Sequence, residues 1–506
     1  MSRSPVFSLL RRALRRIRKP AARPTSPLMS RRALLQTGAV AGAGLLLPHI
    51  AAARPRRAGT QPRIVILGAG IAGLNAAWTL KNAGFEADIY EVNKRAGGRI
   101  MTAQNIVGKG ISSELGGEFI DSNHTDMLAL VREFNLEMND FISPPESELG
   151  DCYLFGSKVY SENDIIRASA PYSDKLDAIA EKVRGNAAAR TEYDQKSIAD
   201  ILRIIGVKGW LYSLFNTAYT TEYGLDIDRL SALLITDILP QTTSSHIEFF
   251  GESDERYTIK GGNAKLTEAL SSALGERIHY QNMATGIEQK GGSYLVHMEN
   301  ESASGDKIPA DFVICTLPFT VVRAMILKVE GMHPLQQRAI KELSYGTNSK
   351  FIAGFKRPIW RDRRKSGMLF SDGDLQVAWD SSRGQGAEGG ALTFFYGGKR
   401  GVELVNFTDA EILGGATKRI ERLFPGITAA HTGESNQFVW AKNRFVLGSY
   451  SCYTSGQQTA FGGYEGMNAG NLYFAGEHCS RRFQGYMNGA AETGRTAAEA
   501  IIAKLK

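Results

Sequence analysis

The chain has 506 residues, 43% of them hydrophobic and 22% charged, a length that excludes a single ordinary core and calls for two domains. Its 54 glycines gather in motifs without a period, which excludes collagen-like and low-complexity structure. The net charge of +8 belongs to the N-terminus: residues 1–60 carry thirteen Lys or Arg and no Asp or Glu. Without the ten positive charges of residues 1–53 the balance is −2, so the basic excess is no sign of a nucleic-acid partner.

Residues 1–53 read as a cleaved export signal. Ser30-Arg31-Arg32-Ala33-Leu34-Leu35 fits the twin-arginine pattern, Ala33 to Leu47 is mildly apolar, and Ala51-Ala52-Ala53 offers small residues for cleavage. The apolar stretch is shorter than the roughly 20 residues a spanning helix needs. Twin-arginine machinery carries folded proteins, which predicts a periplasmic or secreted location and a cofactor acquired before export. Phe7, Leu10, Leu14 and Ile17 share one helical face among six Lys or Arg. That segment is a membrane-surface helix or a long basic n-region, unless Met29 is the true start.

Ile64-Val65-Ile66-Leu67 predicts a buried strand, Ile71 to Lys81 a helix, and Ala87 to Tyr90 the next parallel strand. Between the first strand and the helix stands Gly68-Ala69-Gly70-Ile71-Ala72-Gly73, with Glu91 eighteen residues beyond its last glycine. Gly68 permits a tight turn, Gly70 lets backbone approach a pyrophosphate, and Gly73 lets helix and strand pack closely. The helix N-terminus offers N–H groups to phosphates. Glu91 stands where a carboxylate accepts hydrogen bonds from a ribose diol. Lys94-Arg95-Ala96-Gly97-Gly98-Arg99 follows, and its glycines and guanidinium suit the far side of the same pyrophosphate, which favours FAD over NAD.

With these motifs the sequence resembles the flavin amine oxidases, a family of monoamine, polyamine and L-amino-acid oxidases. The resemblance continues through Glu114-Leu115-Gly116-Gly117 and Asn348-Ser349-Lys350-Phe351. It ends in Phe474-Ala475-Gly476-Glu477-His478 and Gly485-Tyr486-Met487-Asn488-Gly489-Ala490. It implies an α/β fold: a Rossmann-like FAD domain built from residues 61–120, 252–318 and 441–506, and a mixed sheet-and-helix substrate domain from 121–251 and 319–440. Helical periodicity in the first insert (Met127, Leu130, Val131, Phe134) and strand patterns in the second (Ser349 to Phe355, Ala391 to Tyr396) agree with that division. The resemblance further implies that the sheet roofs the flavin and that the C-terminal helix, Gly489 to Ala503, points its N-terminus at the ring.

The implied reaction is oxidative deamination of a primary amine or an L-amino acid, with molecular oxygen reoxidising the flavin to give hydrogen peroxide. Lys350 corresponds to a lysine that holds a water near flavin N5; on an apolar strand a lysine is costly to bury without such a role. Tyr450 and Tyr486 match the aromatic rings that grip the amine in monoamine oxidases. Cofactor contacts are expected at Gly68, Gly70, Ile71, Ala72, Gly73, Glu91, Gly98, Arg99, Gly117, Glu118, Ala284 (adenine), Gly476, Glu477 (ribityl chain), Gly485, Tyr486 and Met487. Two departures matter. Ser449 stands where covalent relatives carry a flavin-linking cysteine, so FAD is expected to be non-covalent. Phe119 stands where venom-type L-amino-acid oxidases carry a carboxylate-binding arginine, so Arg481 or Arg482 takes that role or both are solvated surface arginines. Glu118, Asp121, Glu222 and Asp226 either receive a cationic tail of a basic substrate or cap helices. The rival readings are a dehydrogenase with another acceptor, a flavin desaturase or porphyrinogen oxidase, and a redox-silent flavin-binding subunit.

Cys152, Cys315, Cys452 and Cys479 show no metal-ligand spacing and the eight histidines form no cluster, so no metal is expected. Cys315 reads as a small buried hydrophobe. A Cys452–Cys479 disulfide is permitted by an oxidising compartment but not indicated.

Overall fold

The computed structural model describes residues 61–236, 253–300 and 304–506, with two short strands, Gln241–Thr242 and Ile247–Glu248, in between. Residues 1–53, read above as an export signal with a twin-arginine pattern at Ser30 to Leu35, lie outside the described residues. A five-stranded sheet runs in the order Ile278–Tyr280, Asp88–Glu91, Ile64–Leu67, Phe312–Cys315, Leu472–Phe474. Every pairing in it is parallel. Ile64 and Ile66 enter one hydrophobic cluster, and Val65 and Leu67 the cluster on the opposite face. Side chains alternate along a strand, so a strand covered on both faces reads as the unbroken apolar run seen here. Cys315 is fully buried in this way.

The helix Ile71–Asn82 packs against the C-terminal helix Met487–Leu505, and a Cβ on Gly494 would run into the Ala72 carbonyl. The helix Thr125–Glu133, which the sequence groups with the first insert, puts Met127, Leu130 and Val131 into the core of the parallel sheet. The Asn488 side chain caps it, accepting from the Asp126 and Met127 N–H groups at 3.0 Å each.

A second, seven-stranded sheet runs His431–Val439, Ser349–Phe355, Gly390–Tyr396, Val377–Asp380, Lys365–Ser371, Gly150–Phe155, Lys158–Tyr160. Its last two strands come from the insert expected to be helical. Gly150–Phe155 is covered on both faces from Cys152 onward, which hides the alternation that marks a strand. Helices Glu162–Val183, Ile198–Ile205 and Gly209–Tyr223 cover one face and Asp409–Ile420 the other.

Candidate active site

All five parallel strands end on one side of their sheet, where α/β proteins bind ligands. The loops beyond those ends and one face of the seven-stranded sheet enclose a cavity of about 450 Å³. Gly68, Gly70, Ile71, Ala72, Glu91, Gly98, Arg99, Gly117, Glu118, Phe119, Ala284, Lys350, Tyr450, Gly476, Glu477, Gly485, Tyr486 and Met487 all line it. Gly73 does not: a Cβ there would collide with the Gly68 carbonyl, so its part is the close helix–strand packing.

At the glycine end the wall is backbone. Gly68 adopts φ +98°, and Gly70 has open space where a Cβ would project. Helix Ile71–Asn82 begins with no side-chain cap and no acid in its first turn, which leaves its N-terminal N–H groups for an anion. Gly97 and Gly98, both left-handed, bring the following loop against Gly70. Glu91 braces the turn: Oε2 accepts from Ala69 N–H at 2.8 Å, and Oε1 from the backbone and side chain of Asn93 at 2.9 and 2.7 Å. A bare turn, an open glycine and a buried carboxylate beside them fit the pyrophosphate and ribose of a dinucleotide.

Glu477 ties the middle of the cavity together. Its carboxylate accepts from Arg99 Nη1 (2.7 Å), Ser451 N–H (3.1 Å), Ser451 Oγ (2.8 Å) and Gly485 N–H (2.7 Å). Burial disfavours the charge, but Arg99 and the hydrogen bonds outweigh it and pull the carboxyl down to about 2. Both oxygens are thus engaged by protein donors. Ser449 Oγ donates to Asn348 Oδ1 at 2.7 Å.

At the other end the wall is side chains. Lys350, Phe395 and Val377 are consecutive cross-strand partners and therefore share one sheet face. Trp379, two residues on from Val377, joins them. Lys350 is 4% exposed, with its ammonium directed at Glu114 O (2.8 Å), Gly116 O (3.0 Å) and Glu118 Oε2 (2.7 Å). An ammonium has three N–H donors, and all three are engaged by protein acceptors, so none is left for the water expected near flavin N5. The other Glu118 oxygen accepts from Trp379 Nε1 at 2.8 Å, and the Trp379 ring lies 5.4 Å from the ammonium. Tyr450 Oη donates toward Thr221 O (3.1 Å) and Glu222 O (2.9 Å), fixing its ring. Tyr486 packs T-shaped against His124 with ring centroids 5.2 Å apart. Burial lowers His124 to about 3, so it stands there neutral.

Several expectations are corrected. Arg482 does not line the cavity: its side chain is 64% exposed, 3.7 Å from Glu492, and Arg481 donates to Gly463 O. Ser480 Oγ accepts from the Arg482 and Phe483 N–H groups, a turn that sends Phe483 inward and the arginines out. Glu118 is not open to a substrate cation, because Lys350 and Trp379 hold both its oxygens. Asp226 accepts from Lys399 N–H, and Glu222 offers its backbone to Tyr450 away from the lining. Asp121 lines the cavity but accepts from Ser253 Oγ (2.9 Å) and Glu255 N–H (3.0 Å); burial raises its carboxyl to about 7. Cys452 and Cys479, whose pairing the sequence left open, are free thiols. Trp379, Phe395 and Glu255 are lining residues that the sequence does not announce; the pair Val377 and Trp379 in a strand pattern was the only available signal.

The Bacillus subtilis (strain 168) protein YobN, assigned by name as an L-amino-acid oxidase, is 25% identical over 452 residues, covering 85% of this chain and 92% of that protein. Flavin-containing amine oxidase B of Cavia porcellus is 25% identical over 471 residues, covering 87% and 86%. The solved structure of cyclohexylamine oxidase from Brevibacterium oxydans IH-35A superposes with a TM-score of 0.76 at 20% identity, covering 88% of this chain and all of that one. The family model described as flavin containing amine oxidoreductase matches residues 71–502. A match of that span, over a cavity whose glycine end fits a dinucleotide, shows that the chain belongs to the flavin-containing amine oxidoreductase family, with FAD as its cofactor.

Proposed function

We propose that the protein oxidatively deaminates a primary amine or an L-amino acid, with a second cationic group on the preferred substrate. FAD is held non-covalently, and molecular oxygen takes the electrons to give hydrogen peroxide. The observation that carries this reading is a single cavity with the dinucleotide turn at one end and Lys350 among Trp379, Phe395, Tyr450 and Tyr486 at the other. FAD, when bound, supplies the two-electron acceptor. The substrate amine gives up two electrons and two protons to become an imine; water adds, ammonia leaves, and an aldehyde or keto acid remains. Oxygen with two electrons and two protons becomes hydrogen peroxide.

The chain's own part is position and exclusion of water. Tyr450 and Tyr486 present apolar walls to the amine. Lys350, fixed by two carbonyls and Glu118, holds a set orientation beside them. Ser449 supplies a hydroxyl, engaged with Asn348, where a thioether link would need a thiol. The leader supports export of the folded protein by the twin-arginine machinery to the periplasm or beyond.

Acid precipitation of the purified yellow protein should release all flavin to the supernatant; flavin in the pellet refutes non-covalent binding. A peroxide-release screen over L-amino acids, monoamines and diamines, run beside anaerobic dye reduction, tests the reaction. Dye reduction without peroxide makes the protein a dehydrogenase; neither signal with any amine refutes the reading. Arg31→Lys with Arg32→Lys should strand the precursor in the cytoplasm.

A further inference from the structure

A second chamber of about 440 Å³ adjoins the first, and Glu118, Phe119, Ser253, Glu255 and Trp379 wall both. Among its described lining residues, seven carboxylates face one cation, Arg383. Six of the seven carboxylates have donors. Glu114 and Asp151 accept from neutral groups, Asp254 from the Ser122 N–H, Glu118 from Lys350 and Trp379, and Glu146 and Asp380 from arginines.

Glu255 is different. Its Oε1 is shielded from solvent and meets no hydrogen-bond donor. Its backbone stands in the left-handed region at φ +46° and is held there by the Asp121 carboxylate. Such strain persists where the surroundings fix it, and it is a mark of functional positions. Burial, together with the carboxylates of Asp121, Glu222, Glu118 and Asp151, raises the Glu255 carboxyl well above the usual range. The junction is therefore short of positive charge.

Among its described lining residues the first cavity, by contrast, keeps no buried cation for a substrate carboxylate. Arg99 is held by Glu477 and the Ser449 carbonyl. All three Lys350 donors are engaged. Arg444 lies exposed over Phe445. A ligand suited to both chambers carries a positive charge at its far end and no carboxylate at its near end.

We propose that Glu255 receives the distal ammonium of an aliphatic diamine whose other amine lies at the Lys350 end of the first cavity. This rests on the amine oxidation proposed above and narrows its substrate class. Phe119 and Trp379, packed ring on ring at 5.9 Å, wall both chambers and give the methylene chain an apolar surface to lie along.

The test compares specificity constants of the flavin-loaded enzyme for 1,5-diaminopentane, n-pentylamine and L-lysine, in wild type and Glu255→Gln. The first pair differs only in the distal ammonium. Wild type should favour 1,5-diaminopentane over n-pentylamine by ten- to a hundredfold, mainly through KM, and over L-lysine as well. Glu255→Gln should remove most of the first preference while leaving n-pentylamine nearly unchanged. Equal constants for 1,5-diaminopentane and n-pentylamine in wild type overturn the proposal without recourse to any variant. A preference for L-lysine overturns the diamine assignment. An intact preference in Glu255→Gln overturns the role of Glu255. Absence of oxidation of every amine in the wider screen counts instead against the reaction itself.

Discussion

The two ends of the large cavity are made of different material. The glycine end is backbone: Gly68, Gly70, Gly97 and Gly98 approach so closely that a side chain has no room or no allowed conformation at most of them. The sheet end is side chains, with Lys350, Glu118 and Trp379 linked by charge and hydrogen bonds. A backbone surface presents the same N–H groups whatever the neighbours are, which suits a fixed cofactor. A side-chain surface changes with single substitutions, which suits a substrate that differs between relatives. Damage at the sheet end is therefore repairable by a second substitution, and damage at the glycine end is not.

The largest effect is expected at Lys350. Lys350→Met leaves the Glu118 carboxylate buried without its cation, at a stability loss of about 3–5 kcal/mol, and slows turnover at least about tenfold. Adding Glu118→Gln should restore most of the melting temperature but not the turnover. If the double variant stays as unstable as the single one, the sheet end is no more repairable than the other.

Gly73→Ala tests the opposite end. In an open helix alanine stabilises by about 1 kcal/mol, yet here its methyl meets the Gly68 carbonyl, and a net loss of about 3 kcal/mol with poor flavin retention is expected. Normal melting with full flavin content would show that the turn yields as a side-chain wall does.

Glu477 joins the two ends, and its response to acid follows from sign. Its folded carboxyl is depressed to about 2 from an unfolded value near 4.5. Its stabilising effect is therefore complete above about 4.5 and is lost as pH falls toward 2. Over that window wild type should lose on the order of 2–3 kcal/mol that Glu477→Gln, less stable at neutral pH, does not. Parallel melting curves from pH 7 to 3 would contradict this.

The smallest effect calibrates the rest. Gly414 lies in helix Asp409–Ile420 with open space where a Cβ would stand, so Gly414→Ala should gain up to about 1 kcal/mol in thermal unfolding.

The glycine end was legible in the sequence because its chemistry needs particular residues at fixed local spacing: Gly68, Gly70, Gly73 and Glu91 lie within one strand–helix–strand unit. Lys350 was legible only through resemblance. Glu255 and Trp379 were not legible, because their positions come from pairings distant in the chain. Tyr257–Ile259 pairs with Met138–Asp140, and a Tyr257–Ile120 bridge sets the loop that carries Glu255. Arg482 misled because a Ser480 turn, invisible to periodicity, decides which neighbour faces inward.

The strand order has a consequence for the timing of synthesis. Ile64–Leu67 pairs with Phe312–Cys315, which pairs with Leu472–Phe474, and the wall is closed by Tyr486 and Met487 near the last helix. The first glycine turn leaves the ribosome some four hundred residues before the segments that complete its cradle. Contacts so distant close late and slowly, so FAD capture is a post-translational event. A cradle whose first turn is made early cannot close around the dinucleotide until Met487 has been made.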